Sequence, residues 1–288
     1  MKTKFVVGNK ESYFYLFEDS CVQPFEWNVK TLIVKQVCEL FKWAIPRKYL
    51  NKNIYGADKI IITDAVFSLS LLLNLKKYYD WDNIYLYYMN VIDEDNIKYI
   101  NYFNNDNIYT FDKRDSVKYS IKYMHTPYSN KITIKEADIK YDTVFIGREK
   151  GRGEEIEQFY RYFCEKGLRP KFMVLDSENS IYKINSYIDY ITYINIISKS
   201  KSVLEINLPN QTGCTLRYME SLFLGKKLIT NNTKIVEDEY YDPNNVFIMG
   251  VDSDSDFCEF LNSPNVPVKD LHKVEFNYWL QKFVHEEK

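Results

Sequence analysis

Two loops in the second half of the chain carry residues suited to holding a phosphate. The first, GREKGRG (Gly147–Gly153), sets Arg148, Lys150 and Arg152 among three glycines. Glycine lets a backbone bend closely around an anion, while guanidinium and ammonium groups reach it. The second, NLPNQTGCT (Asn207–Thr215), brings Thr212, Gly213 and Thr215 to the start of a helical stretch, whose free N–H groups favour phosphate. One turn further on, Arg217 and Glu220 form an i,i+3 pair on nearly one helix face. Arg217 can add charge to the phosphate site, and Glu220 has two acceptor oxygens for a ribose diol. Two anion-directed loops on one sheet edge suit a diphosphate.

Taken singly, each feature has a plainer reading. GREKGRG reads as a solvated turn with Glu149 partly neutralising it, QTGCT as a helix cap, and Glu220 as a surface acid or a partner of Arg217. The P-loop spacing is not met. The conjunction of the three, at successive strand ends, points to a ligand site. Cys214 reads as a packing residue, with no His or Asp placed by sequence to activate it.

The elements that must position these residues alternate strand and helix. In the second half, Thr143–Ile146 predicts a strand, Gly153–Lys166 an amphipathic helix closed by Gly167, and Lys171–Leu175 the next strand. A helix near Ile191–Lys199 leads to the strand Ser202–Ile206, the helix Thr215–Leu224 stopped by Gly225, and the strands Lys227–Thr230 and Val246–Met249. Five strands alternating with helices make a doubly wound sheet, with ligands expected beyond the carboxyl ends of the strands. In the first half the runs Lys4–Val7, Lys59–Thr63, Asn83–Tyr88 and Asn107–Phe111 read as strands. Thr31–Lys42 and Ala65–Tyr78 are further apolar runs, and Asp95–Phe103 a short helix. Asp64 ends the β-branched run KIIIT and is placed to cap the helix after it. Periodicity fades between Lys113 and Tyr141, so the domain junction is set there, giving domains 1–135 and 136–288. The stretch Val268–Glu286 reads as a helix able to fold back onto the first domain.

Composition narrows the function classes. In 288 residues, 45% are hydrophobic and 27% charged, as expected of a globular α/β protein of two modest domains. A net charge of −2 offers no global field for nucleic acid or an anionic membrane, so no nucleic-acid partner is expected and phosphate recognition must be local. The five cysteines are scattered without a C-x-x-C pair, which suggests neither a disulfide framework nor a zinc site and fits a reducing cytoplasm. The longest nearly apolar stretch, around Ala65–Leu75, is too short to span a bilayer, which leaves peripheral contact at the inner face of the cytoplasmic membrane open. The start, MKTKFVVGNK, reads as a strand rather than a signal peptide. The surplus of Tyr, Lys, Asn and Ile reads as codon bias rather than as binding platforms.

The run FIGREKGR, then SKSKSVLEINLPNQTGCTLRYMESLFLGKKLITNN and YYDPNNVFIM, resembles the C-terminal donor domain of GT-B-fold glycosyltransferases of bacterial capsule and lipopolysaccharide clusters. The resemblance covers Tyr141 to Met249, about half the chain. It implies two Rossmann-like domains facing each other across a cleft, and transfer of a sugar from a nucleotide-sugar donor to a glycan or lipid-linked acceptor. Glu220 matches the ribose-binding Glu of that family, and Lys150 and Arg152, with Arg148 a weaker match, the residues that neutralise the diphosphate. The family needs no metal or cofactor; Asp252-Ser253-Asp254 has the letters of a metal-binding triplet but lies in a polar loop. Thr212 stands where relatives carry the first Glu of an E-x7-E pair, so retention of configuration is unsupported. An inverting reaction needs a base from the first domain, for which Asp64, Asp19 and His125 are the candidates. Two alternatives stay open: a nucleotide-sugar epimerase on the same architecture, and a non-catalytic partner of another transferase.

Overall fold

The computed structural model describes residues 2–8, 13–17, 20–25, 28–135, 137–209 and 211–283. The chain forms two compact units, Met1–Pro127 with Val274–Lys288, and Tyr128–Lys273. The junction thus falls at Pro127 rather than at 135, and the last segment belongs to the first unit rather than the second.

The first unit is built on β1 (Thr3–Val6), β2 (Cys21–Val22), α1 (Val29–Leu40), β3 (Lys59–Thr63), α2 (Leu69–Leu75), β4 (Ile84–Tyr88), β5 (Ile108–Thr110), α3 (Lys113–Tyr119) and β6 (Lys122–Tyr123). Its six strands are all parallel in the order β2-β1-β3-β4-β5-β6. KIIIT and IYLYY are buried almost end to end, because a parallel sheet covered on both faces has no solvent side to alternate with. The two-residue strands β2 and β6 carry too little pattern to be read from sequence. The expected helix at Asp95–Phe103 is a 3-10 segment, Ile97–Tyr102.

The second unit contains β7 (Tyr141–Arg148), α4 (Gly153–Glu165), β8 (Pro170–Leu175), β9 (Lys183–Ile184), α5 (Tyr190–Ser198), β10 (Ser200–Glu205), α6 (Leu216–Phe223), β11 (Lys227–Thr230), β12 (Val246–Ile248) and α7 (Phe257–Asn262). Its parallel order is β12-β11-β10-β7-β8-β9. By rank within the unit this is 6-5-4-1-2-3, the doubly wound dinucleotide-binding order, with its reversal between β7 and β10. The core beneath α4 and α7 is aromatic: Phe145, Phe159, Phe163, Phe172, Phe247 and Phe257 are all buried. At the opposite, amino end of the sheet Asp142 takes Arg169 Nε at 3.1 Å and Lys201 Nζ at 2.9 Å. Burial opposes its ionisation, yet those two cations hold its carboxyl down at about 2.

The last elements among the described residues are a 3-10 turn, Leu271–Val274, and α8 (Phe276–Gln281), in place of the continuous helix expected over Val268–Glu286. Within the first unit Trp279 packs edge-on to Phe5 at 5.5 Å and Tyr87 at 4.9 Å, and its indole N–H donates to the His125 carbonyl at 2.9 Å. Burial of the large, rigid Phe276, Trp279 and Phe283 side chains fixes this return. No helix among the described residues is long and apolar enough to cross a membrane.

Candidate functional site

Open α/β sheets bind ligands where the strand order reverses, beyond the carboxyl ends. In the second unit that point lies between the ends of β7 and β10, where the two sequence loops meet. The loop after β7 turns tightly: Lys150 and Gly151 both take left-handed backbone, at φ 50° and 74°. Only the glycine does so without steric cost, so Lys150 is held at a conformation that lysine rarely adopts. Arg152 then precedes α4 and folds back as a clamp. Its guanidinium donates to the carbonyls of Glu149 (3.2 Å), Arg148 (2.8 Å) and Ile206, tying the end of β7 to the residue after β10.

Arg217, from the first turn of α6, reaches the Ile146 carbonyl and lies over the Phe145 ring, 5.1 Å from its centroid. Its approach explains Gly147: a Cβ there would stand 2.6 Å from the guanidinium. The Arg217 Nε is buried with no hydrogen-bond partner among the described residues.

These groups repel one another. Desolvation, then Arg217, pulls Arg152 down to about 10. Desolvation, then Arg152, Arg148 and Arg217, lowers Lys150. Among the described residues Lys150 has no hydrogen-bond or ion-pair partner. Arg148 adds to that field, but its own side chain is half exposed, pairs with Asp176 at 2.7 Å and donates to Tyr187 at 3.1 Å. The end of β7 therefore gathers cations whose neighbours lower the proton affinity of Lys150 and Arg152, an arrangement relieved by a polyanion.

The second loop closes the same edge. Helix α6 begins at Leu216 with Thr215 as its cap, its hydroxyl accepting from the Arg217 N–H at 3.2 Å, so Thr212 and Gly213 lie ahead of the helix rather than at its tip. The Thr215 hydroxyl donates to Glu205, which also takes Thr230 at 2.7 Å. Asn207 and Asn231 link the loops after β10 and β11, and Asn231 donates to Glu155 of α4 at 2.7 Å. Asn207 opens the loop that the sequence singles out, but neither Glu205 nor Asn231 is a candidate there; the position of Glu205 as the last residue of a buried parallel strand is the available signal.

Glu220 departs most from expectation. It is fully buried in a cluster of tyrosines, with Arg217 near enough to favour its charged form but making no ion pair with it. One oxygen accepts from Tyr190 at 2.7 Å and the other from Tyr193, while Tyr190 also pairs with Tyr128 at 2.9 Å. Burial raises its carboxyl to about 7 against the pull of those hydroxyls. Each oxygen holds a tyrosine hydroxyl and the group has no exposed surface, so contact with a ribose diol requires Tyr190 or Tyr193 to give way. The i,i+3 spacing of the two tyrosines in YITY was the sequence signal, discounted there as codon bias.

The candidate bases of the first unit are distributed. Asp64 does not cap α2; Ser68 does, accepting from Leu71 N–H at 3.2 Å. The Asp64 carboxylate instead accepts from the Met89 N–H at 2.7 Å and Asn90 at 2.9 Å, tying β3 to the end of β4. Burial raises its proton affinity even so. His125 is buried beside Tyr123, ring centroids 5.0 Å apart, and its carbonyl takes the Trp279 and Tyr87 donors. Asp19 lies outside the described residues. Cys214 is next to an acid after all: its thiol donates to Asp238 at 3.0 Å. In the Asp252–Asp254 triplet, Asp252 accepts from Ile248 N–H and Asp254 pairs with Lys166 at 2.8 Å, both structural roles.

The fold and site define a doubly wound α/β protein with a cationic sheet edge at the switch point of its second unit. No family model matches the sequence, and no curated protein does. Among solved structures the chain is similar to T4 phage BGT in complex with its UDP-glucose substrate, at 12% identity and a TM-score of 0.42 over 80% of each chain. It is also similar to the DNA modifying enzyme beta-glucosyltransferase, at 13% identity and a TM-score of 0.44, covering 99% of this chain and 95% of the other. A third match, T4 phage BGT with UDP and Mn2+, has 12% identity and a TM-score of 0.41 over 72% of each chain. None of the three is a capsule or lipopolysaccharide enzyme. Likeness this distant leaves function to the site.

Proposed function

We propose that the second unit binds the diphosphate of a nucleotide-sugar, and that the protein is a glycosyltransferase passing that sugar to an acceptor held by the first unit. The observation that carries this reading is the set of cations at the β7/β10 switch point, where Lys150 has no anionic partner and is depressed by burial and by Arg152, Arg148 and Arg217. In such a reaction the bond from the sugar's anomeric carbon to the diphosphate oxygen breaks as the acceptor oxygen bonds that carbon. Lys150 and Arg217 would take up the charge gathering on the departing diphosphate, positioned by Arg152, whose three carbonyl bonds hold the loop. A glycan or lipid-linked molecule is the acceptor class proposed. Asp64 remains the proposed proton acceptor; its raised proton affinity suits a base only once its bonds to Met89 and Asn90 loosen.

One observation favours a second reading, a non-catalytic partner of another transferase whose nucleotide site is disabled: Glu220, the expected ribose ligand, is sealed by Tyr190 and Tyr193. Calorimetric titration with nucleoside diphosphates, followed by donor-hydrolysis assays, separates the two. Binding with hydrolysis supports the transferase, whereas absence of binding sinks it and, where a second transferase copurifies, supports the partner.

A further inference from the structure

Helix α1 of the first unit wears its apolar face outward. Val29, Leu32, Ile33, Val37 and Leu40 are 74%, 39%, 55%, 43% and 77% exposed, while its buried residues are Thr31 and Cys38. At 3.6 residues per turn the five exposed positions span a stripe of roughly 140°, opposite Thr31 and Cys38 and interrupted only by Gln36. The stripe continues past the helix into Phe41 and Trp43, both more than half exposed, their rings stacked 4.9 Å apart. An amphipathic helix normally turns such a stripe to the core. Here it faces solvent, and an exposed contiguous patch of this kind marks an interaction surface.

The charge around the patch selects its occupant. Residues 28–57 carry six basic side chains and one acid, a net +5 in a chain of −2. A second copy of the same face would meet it with like charge. Nucleic acid would satisfy the lysines, but bases stack on aromatic rings and gain nothing from five aliphatic side chains. An anionic bilayer matches both: acyl chains for the stripe, headgroups for the lysines. Beside the stripe a cavity of about 330 Å³, lined by Lys35, Lys42 and Lys98 with Phe67, Tyr99 and Tyr102, opens where the chain leaves β3 and β4. The acid on its wall, Glu39, accepts from the Ser70 N–H at 2.8 Å and is outnumbered by the three lysines. Its lining suits a phosphate with an apolar body attached.

We infer that α1 with Phe41 and Trp43 is an interfacial membrane-contact surface, and that the adjoining lysine and tyrosine cavity takes the phosphate headgroup of an anionic lipid. The inference stands apart from the nucleotide reading of the second unit, because its test uses no nucleotide. The full-length protein is sedimented with vesicles of phosphatidylcholine alone or mixed with phosphatidylglycerol, and separately titrated with duplex and single-stranded DNA and with inorganic phosphate. Binding is expected only to the mixed vesicles. Ile33→Ser with Leu40→Ser and Trp43→Ser should abolish it, and each of Lys42→Gln and Lys98→Gln should weaken it about fivefold. All these side chains are exposed, and unchanged circular dichroism confirms that the variants fold. Equal binding to neutral vesicles, tighter binding to DNA, dimerisation lost in the serine variant, or no vesicle binding by the wild type would each overturn it.

Discussion

Replacing Glu220 by Gln should change how the protein's stability depends on pH, and the direction follows from burial. The Glu220 carboxyl is raised from an ordinary 4.5 to about 7 because it is fully enclosed, and the tyrosine hydroxyls only partly offset that. Between those values the folded state holds a proton that the unfolded chain has released. Stability therefore falls as pH rises through this window: the contribution is whole below about 4.5 and lost above about 7. The gap corresponds to about 3 kcal/mol, an upper figure because local opening would let water reach the group. Gln keeps the shape and the neutral form, with its carbonyl accepting from one tyrosine and its amide donating to the other. The variant and the wild type should therefore match near pH 5, while at pH 8 the variant should be the more stable, by up to roughly 6–12 °C in midpoint. Parallel melting curves for the two proteins from pH 5 to pH 8 would refute the argument. Taking the difference between them removes other buried acids, such as Glu205 and Asp64, whose raised proton affinities affect both alike.

Further expectations concern the cation cluster and the frame behind it. Lys150→Ala should weaken nucleoside diphosphate binding about tenfold or more by calorimetry, while changing stability by no more than about 0.5 kcal/mol, since the side chain is exposed and unpartnered. Arg152→Ala should instead cost about 1–3 kcal/mol in urea unfolding, because three carbonyls lose their donor. Gly147→Ala should displace Arg217 and destabilise by about 1–3 kcal/mol, and adding Arg217→Ala should recover part of that loss, a coupling measured by the double-mutant cycle. Asp142→Asn should destabilise the second unit at neutral pH. Its carboxyl is held at about 2 against an ordinary 3.8, so the stability it provides is present above 3.8 and fades as pH falls through 2; the gap between the Asn variant and wild type should close over that range in acid melts.

The strands were legible in the sequence wherever burial on both faces produced a continuous apolar run. KIIIT, the run before Arg148 and KLIT fall where the alternation of patterns put them. What escaped was whatever depends on neighbours in space. Strands β2, β6 and β9 are two residues each and exist only because a longer strand lies alongside. The return of Trp279 to the first unit rests on a pocket assembled from Phe5, Tyr87 and the His125 carbonyl, residues far apart in the chain.

The site shows the same division more sharply. Residue type and strand-end position were enough to bring Lys150, Arg152 and Arg217 to one sheet edge, because the topology of a doubly wound sheet decides which loops share that edge. Which of them is free to bind was not legible. Arg152 and Lys150 are two residues apart and both cationic, yet the left-handed turn at Lys150 and Gly151 sends one back onto three carbonyls and leaves the other without a partner. Glu220 makes the complementary point. A carboxylate three residues after an arginine reads as a surface pair, but helix α6 turns that face toward α5, and Tyr190 and Tyr193 claim both oxygens. Spacing along one helix fixes which residues share a face; what the face meets is fixed by the next helix, and it is there that a binding group and a structural one part.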